Sequence, residues 1–372
     1  MVSIDLSVLD VPRAIPPDPE AYLRAAMAWH FGADTGSPFW LRAAGRLDFD
    51  PLTDVRSHDD LGLFPNLVDE LRDVPVEDLI PRGYGTPPPI PRVFESGGTT
   101  GAPKRTAQLP DWIEQVTRWQ IEDFTAGGFV PGAGLLCMMP GGPHGVGHFD
   151  RVVAERLGAT FHAVDLDPRW VKKVAARGAR AEVARYVDHV LEQALHILET
   201  QTVANLHATP PLLEAIANDD RLIDLVNRRI RYILLSGAHV DVDTMALFRG
   251  IFPGAAIALA FGSTMILSQA ATRTRASEAT GEHTDGDAFV FDPRSPYVVF
   301  RVVDPGTGAQ VPYGERGQIV MNHVSKGMFI PNNLERDTAI RLPGPDGGVG
   351  DSVSEVAPVA VFGGEPVIEG VY

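Results

Sequence analysis

The segment Phe94-Glu95-Ser96-Gly97-Gly98-Thr99-Thr100-Gly101-Ala102-Pro103-Lys104-Arg105 concentrates the residue types that hold a phosphate. Gly97, Gly98 and Gly101 let backbone amides approach an anion closely; Ser96, Thr99 and Thr100 bring hydroxyl donors, and Lys104 brings a cation. The spacing is not that of a Walker-type loop. Pro103 precedes Lys104 and Arg105 follows it, so G-x-x-x-x-G-K-[ST] fails. Taken alone, the segment can also arise as an ordinary Gly/Thr-rich turn.

Four further segments follow in order: Leu235-Ser236-Gly237-Ala238-His239, Phe261-Gly262-Ser263-Thr264-Met265, Gly314-Glu315-Arg316-Gly317-Gln318-Ile319-Val320 and Gly350-Asp351. The first two each close a predicted strand. Between the first loop and these lies Met139-Pro140-Gly141-Gly142-Pro143-His144-Gly145-Val146-Gly147-His148-Phe149. His144 and His148 are four apart, which on a helix suits zinc. The intervening glycines argue against a helix, so no metal site is expected. His144 is left as a pocket wall or a solvent loop.

These segments need strands and helices to position them. Residues 1–90 mix short helical patterns, around Glu20–Phe31 and Asn66–Val74, with Pro-rich connectors, and the run from Pro81 to Pro91 reads as extended. Over residues 91–265, strand candidates at Gly134–Met139, Thr160–Val164, Thr202–Ala208, Tyr232–Leu235 and Ala255–Phe261 alternate with helical patterns. Those helices are Asp111–Ala126, Asp150–Leu157, Glu182–Thr200, Pro210–Asn218 and Asp243–Phe252. The alternation predicts an α/β unit with parallel strands flanked by helices. Residues 266–372 turn β-rich, with short branched and aromatic runs at 289–291, 297–303 and 318–321 between Pro/Gly turns. They predict a small sheet or barrel, and the three segments together form one large unit.

At every constrained position the first loop resembles the phosphate loop of the adenylate-forming superfamily, which includes acyl- and aryl-CoA synthetases, peptide-synthetase adenylation domains and luciferases. The later segments are similar to that family's motifs in the family's order. The resemblance implies ATP as co-substrate with Mg²⁺, and a small carboxylic acid activated to an acyl- or aryl-adenylate. It implies that Ser96, Gly97, Gly98, Thr99, Thr100, Gly101 and Lys104 face the phosphates. Gly237 and Ala238 would lie along adenine and Phe261 would stack on it; Gly262, Ser263 and Thr264 would lead to the α-phosphate, and Asp351 would hold the ribose. Thr264, Lys104 and His144 would be the residues nearest the chemistry. Such a reaction joins two anions, so catalysis is positioning plus electrostatic stabilisation.

Two departures stand out. Where the family motif ends in a Mg²⁺-binding Glu, this chain has Met265, a poor ligand for a hard cation. The family also carries a mobile C-terminal lid with a catalytic lysine, whereas this chain ends at Tyr372, shortly after Asp351. Ala357–Tyr372 reads as strands finishing the β unit, so the expectation is a naturally short form. It resembles the stand-alone adenylating proteins of phenazine antibiotic pathways, which implies an aromatic acid. The acceptor would be a partner protein or an amine, and a separate protein could supply the lid. The same departures leave open a second reading, a partner-dependent binder of nucleotide or acyl-adenylate.

Composition removes other classes. The chain has 372 residues, 44% hydrophobic and 22% charged, with formal net charge −16. Nucleic acid would be repelled, since the densest basic run, Arg228-Arg229-Ile230-Arg231, is short. One cysteine, Cys137, allows no intrachain disulfide and reads as a small buried residue. The N-terminus lacks a signal pattern and the most apolar stretch, 254–271, is too polar to span a bilayer, so a cytoplasmic protein is expected. A homodimer is the working expectation for its assembly.

Overall fold

The computed structural model describes residues 4–97, 101–274, 289–362 and 365–366. Among these, the helices are α1 Pro19–Phe31, α2 Pro38–Ala44, α3 Pro51–Asp54, α4 Pro110–Gly127, α5 Gly145–Arg156, α6 Pro168–Ala176, α7 Arg180–Thr200, α8 Pro210–Ile216, α9 Asp220–Arg229 and α10 Val242–Ile251. Several begin with a side chain accepting a backbone N–H at the N-cap: Asp18 before α1, Asp167 before α6, Asp219 before α9 and Asp241 before α10. No helix among the described residues is long and apolar enough to cross a membrane.

The strands run β1 Arg92–Glu95, β2 Arg105–Gln108, β3 Gly134–Met138, β4 Phe161–Ala163, β5 Val203–Ala208, β6 Tyr232–Leu235, β7 Ala256–Leu259, β8 Gly262–Ser263, β9 Ser268–Gln269, β10 Ala271–Thr274, β11 Phe289–Asp292, β12 Val298–Val303, β13 Arg316–Val324, β14 Phe329–Pro343 and β15 Asp351–Pro358, followed by a small hairpin. β3 to β7 form a parallel five-stranded sheet in the order β4-β3-β5-β6-β7. β3 and β6 are buried along their whole length, as strands covered by helices on both faces must be. α7, α8, α9 and α10 supply the apolar cover on one side, through Val190, Ala194, Leu213, Val226 and Phe248. α4 and α5 supply it on the other, through Phe124, Val153 and Ala154.

β10 to β15 form an antiparallel six-stranded sheet in the order β10-β11-β15-β14-β13-β12. This sheet curls, and its closure is visible in one contact. The carboxylate of Asp351 at the start of β15 accepts the Val302 amide of β12 at 3.1 Å, although the two strands are not neighbours in the ladder. The N-terminal helices are not a separate body. Tyr22, Trp29, Trp40 and Phe64 share one apolar core with Trp112 of α4 and with Met265, Tyr297, Val324 and Phe329. Trp40 and Trp29 donate their indole N–H to the carbonyls of Phe329 and Lys326, each at 2.9 Å, so β14 and its preceding turn are tied to α1 and α2.

Several sequence expectations shift. Asn66–Val74 is a short 3₁₀ piece, Glu70–Arg72, rather than a helix. The run 81–91 contains a 3₁₀ turn at Arg82–Tyr84. The glycines of 145–147 do not prevent a helix: α5 starts at Gly145, and Gly147 packs so closely that a Cβ there would sit 2.8 Å from the Pro140 carbonyl. Close approach of helix to loop requires glycine there, and that contact outweighs its poor propensity. α6, α9 and the fifteen-residue β14 were not anticipated.

Two histidines in the shared core make folding sensitive to acid. His30 and His323 are fully buried, and burial depresses their pKa values to about 4 and about 3. The carbonyls of Ser325 and Ile266 that accept their N–H groups oppose this only in part. The unfolded chain takes up these protons near pH 6.5 and the folded one does not, so stability present above that pH falls as pH drops toward 4. Each histidine contributes a slope of about 1.4 kcal/mol per pH unit in that window. His30→Gln is expected to reduce the pH slope of the unfolding free energy between 6.5 and 5 by about that amount. Denaturant unfolding at several pH values measures it, and an unchanged slope would contradict the assignment.

Candidate functional site

Parallel sheets place ligands beyond the carboxyl ends of their strands, where the connections diverge. Here the chain moves outward from β3 to β4 and then returns to the other side of β3 with β5. Beyond that edge lie two cavities, of about 340 Å³ and about 460 Å³. Gly237, Ala260, Gly262, Arg336 and Asp337 line both, so they form one continuous cleft between the parallel sheet and the curled one.

The first cavity is rimmed by cations in an otherwise acidic protein. Arg72, Lys104, Lys172 and Arg336 line it. β1 and β2 form a hairpin with Glu95 opposite Arg105. Its neck is closed by Ser96, whose amide donates to the Lys104 carbonyl at 2.9 Å and whose Oγ accepts the Lys104 amide at 2.9 Å. Ser96, Gly97 and Lys104 therefore reach the cavity from the hairpin end. The Lys104 ammonium lies 3.3 Å from Asp69 Oδ1. Gly98, Thr99 and Thr100 lie outside the described residues, and Gly101, with φ of 122°, is not part of the cavity wall. Arg169 reaches across to the Ser96 carbonyl at 3.1 Å and pairs with Glu95 at 2.8 Å. Burial alone would raise the Glu95 pKa, but Arg169 and Arg105 together hold it below the ordinary value.

His144 caps α5 and lines the same cavity beside Phe94, Val146 and Phe149. Its pKa is lowered by burial first and by Arg169 second, so the imidazole is neutral at pH 7. His148 points elsewhere, into aromatic contact with Phe94 at 5.4 Å. Thr264 and Met265 come from the turn between β8 and β9, and both line the cavity. Gly262 is required in that hairpin, because a Cβ would meet the Ser268 carbonyl at 2.8 Å. The Ser263 hydroxyl donates to Glu335 at 2.9 Å and its Oγ accepts the Met265 amide at 3.1 Å.

The second cavity has a mixed lining, with Asp241, Arg249, Arg316 and Glu355 among its apolar residues. Gly237, with φ of 83°, and Ala238 form one wall, and Phe261 forms another, braced by Phe291 and Phe300 at 5.4 and 6.0 Å. Leu259, Val240 and Met245 add apolar surface.

Asp351 is the correction. It lines neither cavity and is 2% exposed. Its carboxylate accepts Arg341 Nε at 2.9 Å, Gln310 Nε2 at 3.0 Å and the Val302 amide at 3.1 Å. It is saturated by the fold and turned into the sheet. The acid at the junction of the cavities is Asp337, from the middle of β14, with Glu335 and Arg336 beside it. The signal was present as Glu335-Arg336-Asp337 within a strand, but a charged run without alternation did not read as one. Arg72 and Lys172 were missed too, because nothing local marks a distant cation as facing a cleft.

No protein-family model matches the chain, and no curated protein matches it. Solved structures do. The chain is similar to 2-hydroxyisobutyryl-CoA ligase in an open conformation with 2-HIB-AMP and CoA, at TM-score 0.61 and 16% identity, covering 93% of this chain and 70% of that one. It is also similar to the same ligase in the thioesterification state with 2-HIB-AMP and CoA, at TM-score 0.61 and 17% identity, covering 94% and 69%. In the postadenylation state with R3-HIB-AMP the values are 0.61, 16%, 98% and 73%. The chain thus has the α/β fold of these ligases, a helix-flanked parallel sheet joined to a curled antiparallel one.

Proposed function

We propose that this protein activates a carboxylic acid with ATP, giving an acyl- or aryl-adenylate and pyrophosphate. The observation that carries this reading is the continuous cleft: a cavity walled by Gly237, Ala238 and Phe261 and another lined by Arg72, Lys104, Lys172 and Arg336 that meet at Asp337. Adenine lies between the Gly237-Ala238 backbone and Phe261, and the Asp337 carboxylate accepts the ribose hydroxyls. The phosphates extend toward Thr264, Ser96, Gly97 and Lys104. Arg72 and Lys172 add charge. The solved ligases of the same fold hold 2-HIB-AMP, which supports an adenylate in this chain as well.

The acid occupies the part of the first cavity walled by Phe94, Phe149, Val146 and the neutral His144, which favours an aromatic acid. Its carboxylate attacks the α-phosphorus in line while the surrounding cations and amides stabilise the charge that builds on phosphate oxygens. The acyl group then passes to an acceptor, a protein or an amine, as in the antibiotic pathways the sequence resembles. Mg²⁺ bound with ATP would neutralise phosphate charge, and such ions commonly need only one or two carboxylates besides phosphate and water. Met265 is buried in the shared core and offers none. Glu335 lines the cavity next to Ser263 and fits that part.

ATP–pyrophosphate exchange with Mg²⁺ against a panel of aromatic and aliphatic acids tests the proposal. Acid-dependent exchange supports it, and nucleotide binding without exchange across the panel overturns it in favour of a partner-dependent binder. Glu335→Gln is expected to raise the Mg²⁺ concentration for half-maximal exchange by about tenfold, the worth of one charged ligand contact. An unshifted Mg²⁺ titration would remove Glu335 from that role.

A further inference from the structure

Asp150, His207 and Ser236 stand in a line at the floor of the first cavity, and the adenylation reading uses none of them. His207 closes β5, Ser236 follows β6, and Asp150 comes from α5 across the sheet edge. His207 Nδ1 is 2.7 Å from Asp150 Oδ2, and His207 Nε2 is 2.8 Å from Ser236 Oγ. Asp150 and His207 are buried, at 2% and 3% exposure, while Ser236 is half-buried at the cavity surface.

A carboxylate at Asp150 only accepts, so a neutral His207 paired with it donates from Nδ1 and presents the lone pair of Nε2 to the serine hydroxyl. Asp150 Oδ2 also accepts the Cys137 thiol at 3.1 Å, and burial with the nearby Asp150 charge pushes that thiol well above its ordinary pKa. Cys137 thus stays a donor that holds the carboxylate in place. The amide of Gly237, next in the chain after Ser236, has no acceptor among the described residues and lines the same cavity. That is the backbone position from which an oxyanion is held beside a serine nucleophile.

We propose that Ser236 is a nucleophile, with His207 as its base and Asp150 orienting the imidazole, and that it accepts acyl groups from activated acyl compounds such as esters, thioesters or acyl phosphates. Ser236 Oγ bonds to the acyl carbon as its proton passes to His207 Nε2. The bond to the leaving group breaks, and that group departs with the proton. Water, deprotonated by the same imidazole, attacks the serine ester, releases the acid and returns the proton to Ser236. Phe94, Phe149, Val146 and Met139 around the cavity select an apolar acyl group. This inference goes beyond the adenylation reading and needs no nucleotide.

The test is treatment of the full chain with an alkyl fluorophosphonate in the absence of ATP, read by intact mass and peptide mapping. One adduct per chain at Ser236 is expected, none in Ser236→Ala, and labelling slower by about a hundredfold or more in Asp150→Asn. Release of p-nitrophenol from p-nitrophenyl acetate should fall in the same order. Ser236→Ala, at a half-buried position, keeps the test valid if the buried Asp150→Asn variant fails to fold; thermal unfolding checks both. A folded wild-type chain that stays unlabelled, or a Ser236→Ala chain that labels equally, overturns the proposal. Because labelling needs no ATP, failure here leaves pyrophosphate exchange to be judged separately.

Discussion

Asp337→Ala is expected to weaken ATP binding by about 3 kcal/mol, roughly a hundredfold in Kd. The magnitude follows from losing two hydrogen bonds to a charged acceptor in a partly desolvated cleft. The position follows from the structure: Asp337 is half-buried on β14 and lies where the two cavities meet. Isothermal titration with ATP, and with 2′,3′-dideoxy-ATP as a control, measures it. The dideoxy nucleotide should bind the parent and the variant about equally, because it lacks the hydroxyls that Asp337 would accept. A variant that binds ATP as the parent does would remove Asp337 from the site and weaken the whole orientation of nucleotide proposed above.

Asp351→Ala should behave in the opposite way. Removing one partner from a buried ion pair leaves the other charge uncompensated, a loss of about 3–5 kcal/mol. Here the partner is Arg341, whose side chain is 14% exposed, and the Val302 amide would lose its acceptor as well. The Val302 contact lies where the curled sheet closes, between β12 and β15, which share no ladder. Denaturant unfolding is expected to show a reduced midpoint, and under stabilising conditions the folded fraction should bind ATP with nearly unchanged Kd. Weakened nucleotide binding at unchanged stability would restore Asp351 to the ribose. The two aspartates thus separate a binding role from a folding role by opposite readouts.

How a sequence signal misleads is clear from this pair. Gly350-Asp351 has the local form of a ribose-binding turn, and glycine at 350 is needed, since its φ is 90° and a Cβ would meet Val299 Cγ1 at 2.6 Å. The local form is real. Where the following carboxylate points is decided by Arg341, Gln310 and Val302, which lie ten to forty-nine positions away. Conversely, Glu335-Arg336-Asp337 carries no turn and no apolar alternation, so periodicity alone does not mark it. Asp337 pairs with Pro358 of β15, while residues 335–337 fall where the register between β14 and β13 shifts, between Gln318 and Val320.

The sequence by itself determined the class of architecture. Strands of β-branched and aliphatic residues alternating with amphipathic helices leave a parallel α/β sheet as the way to bury both faces, and the branched and aromatic runs after residue 289 demand a second sheet. It also marked the segments 94–105 and 261–265, because glycine permits the positive φ and close backbone approach that such turns need. Tertiary structure alone decided which acid faces the cleft, which distant cations rim it, and that Asp150, His207 and Ser236 form a line. Those three come from a helix, the end of one strand and the turn after another, 57 and 29 residues apart in sequence. The reason is physical: a turn is specified by its own φ and ψ preferences. The direction of a charged side chain is instead specified by whatever packs around it, and local pattern carries no record of that.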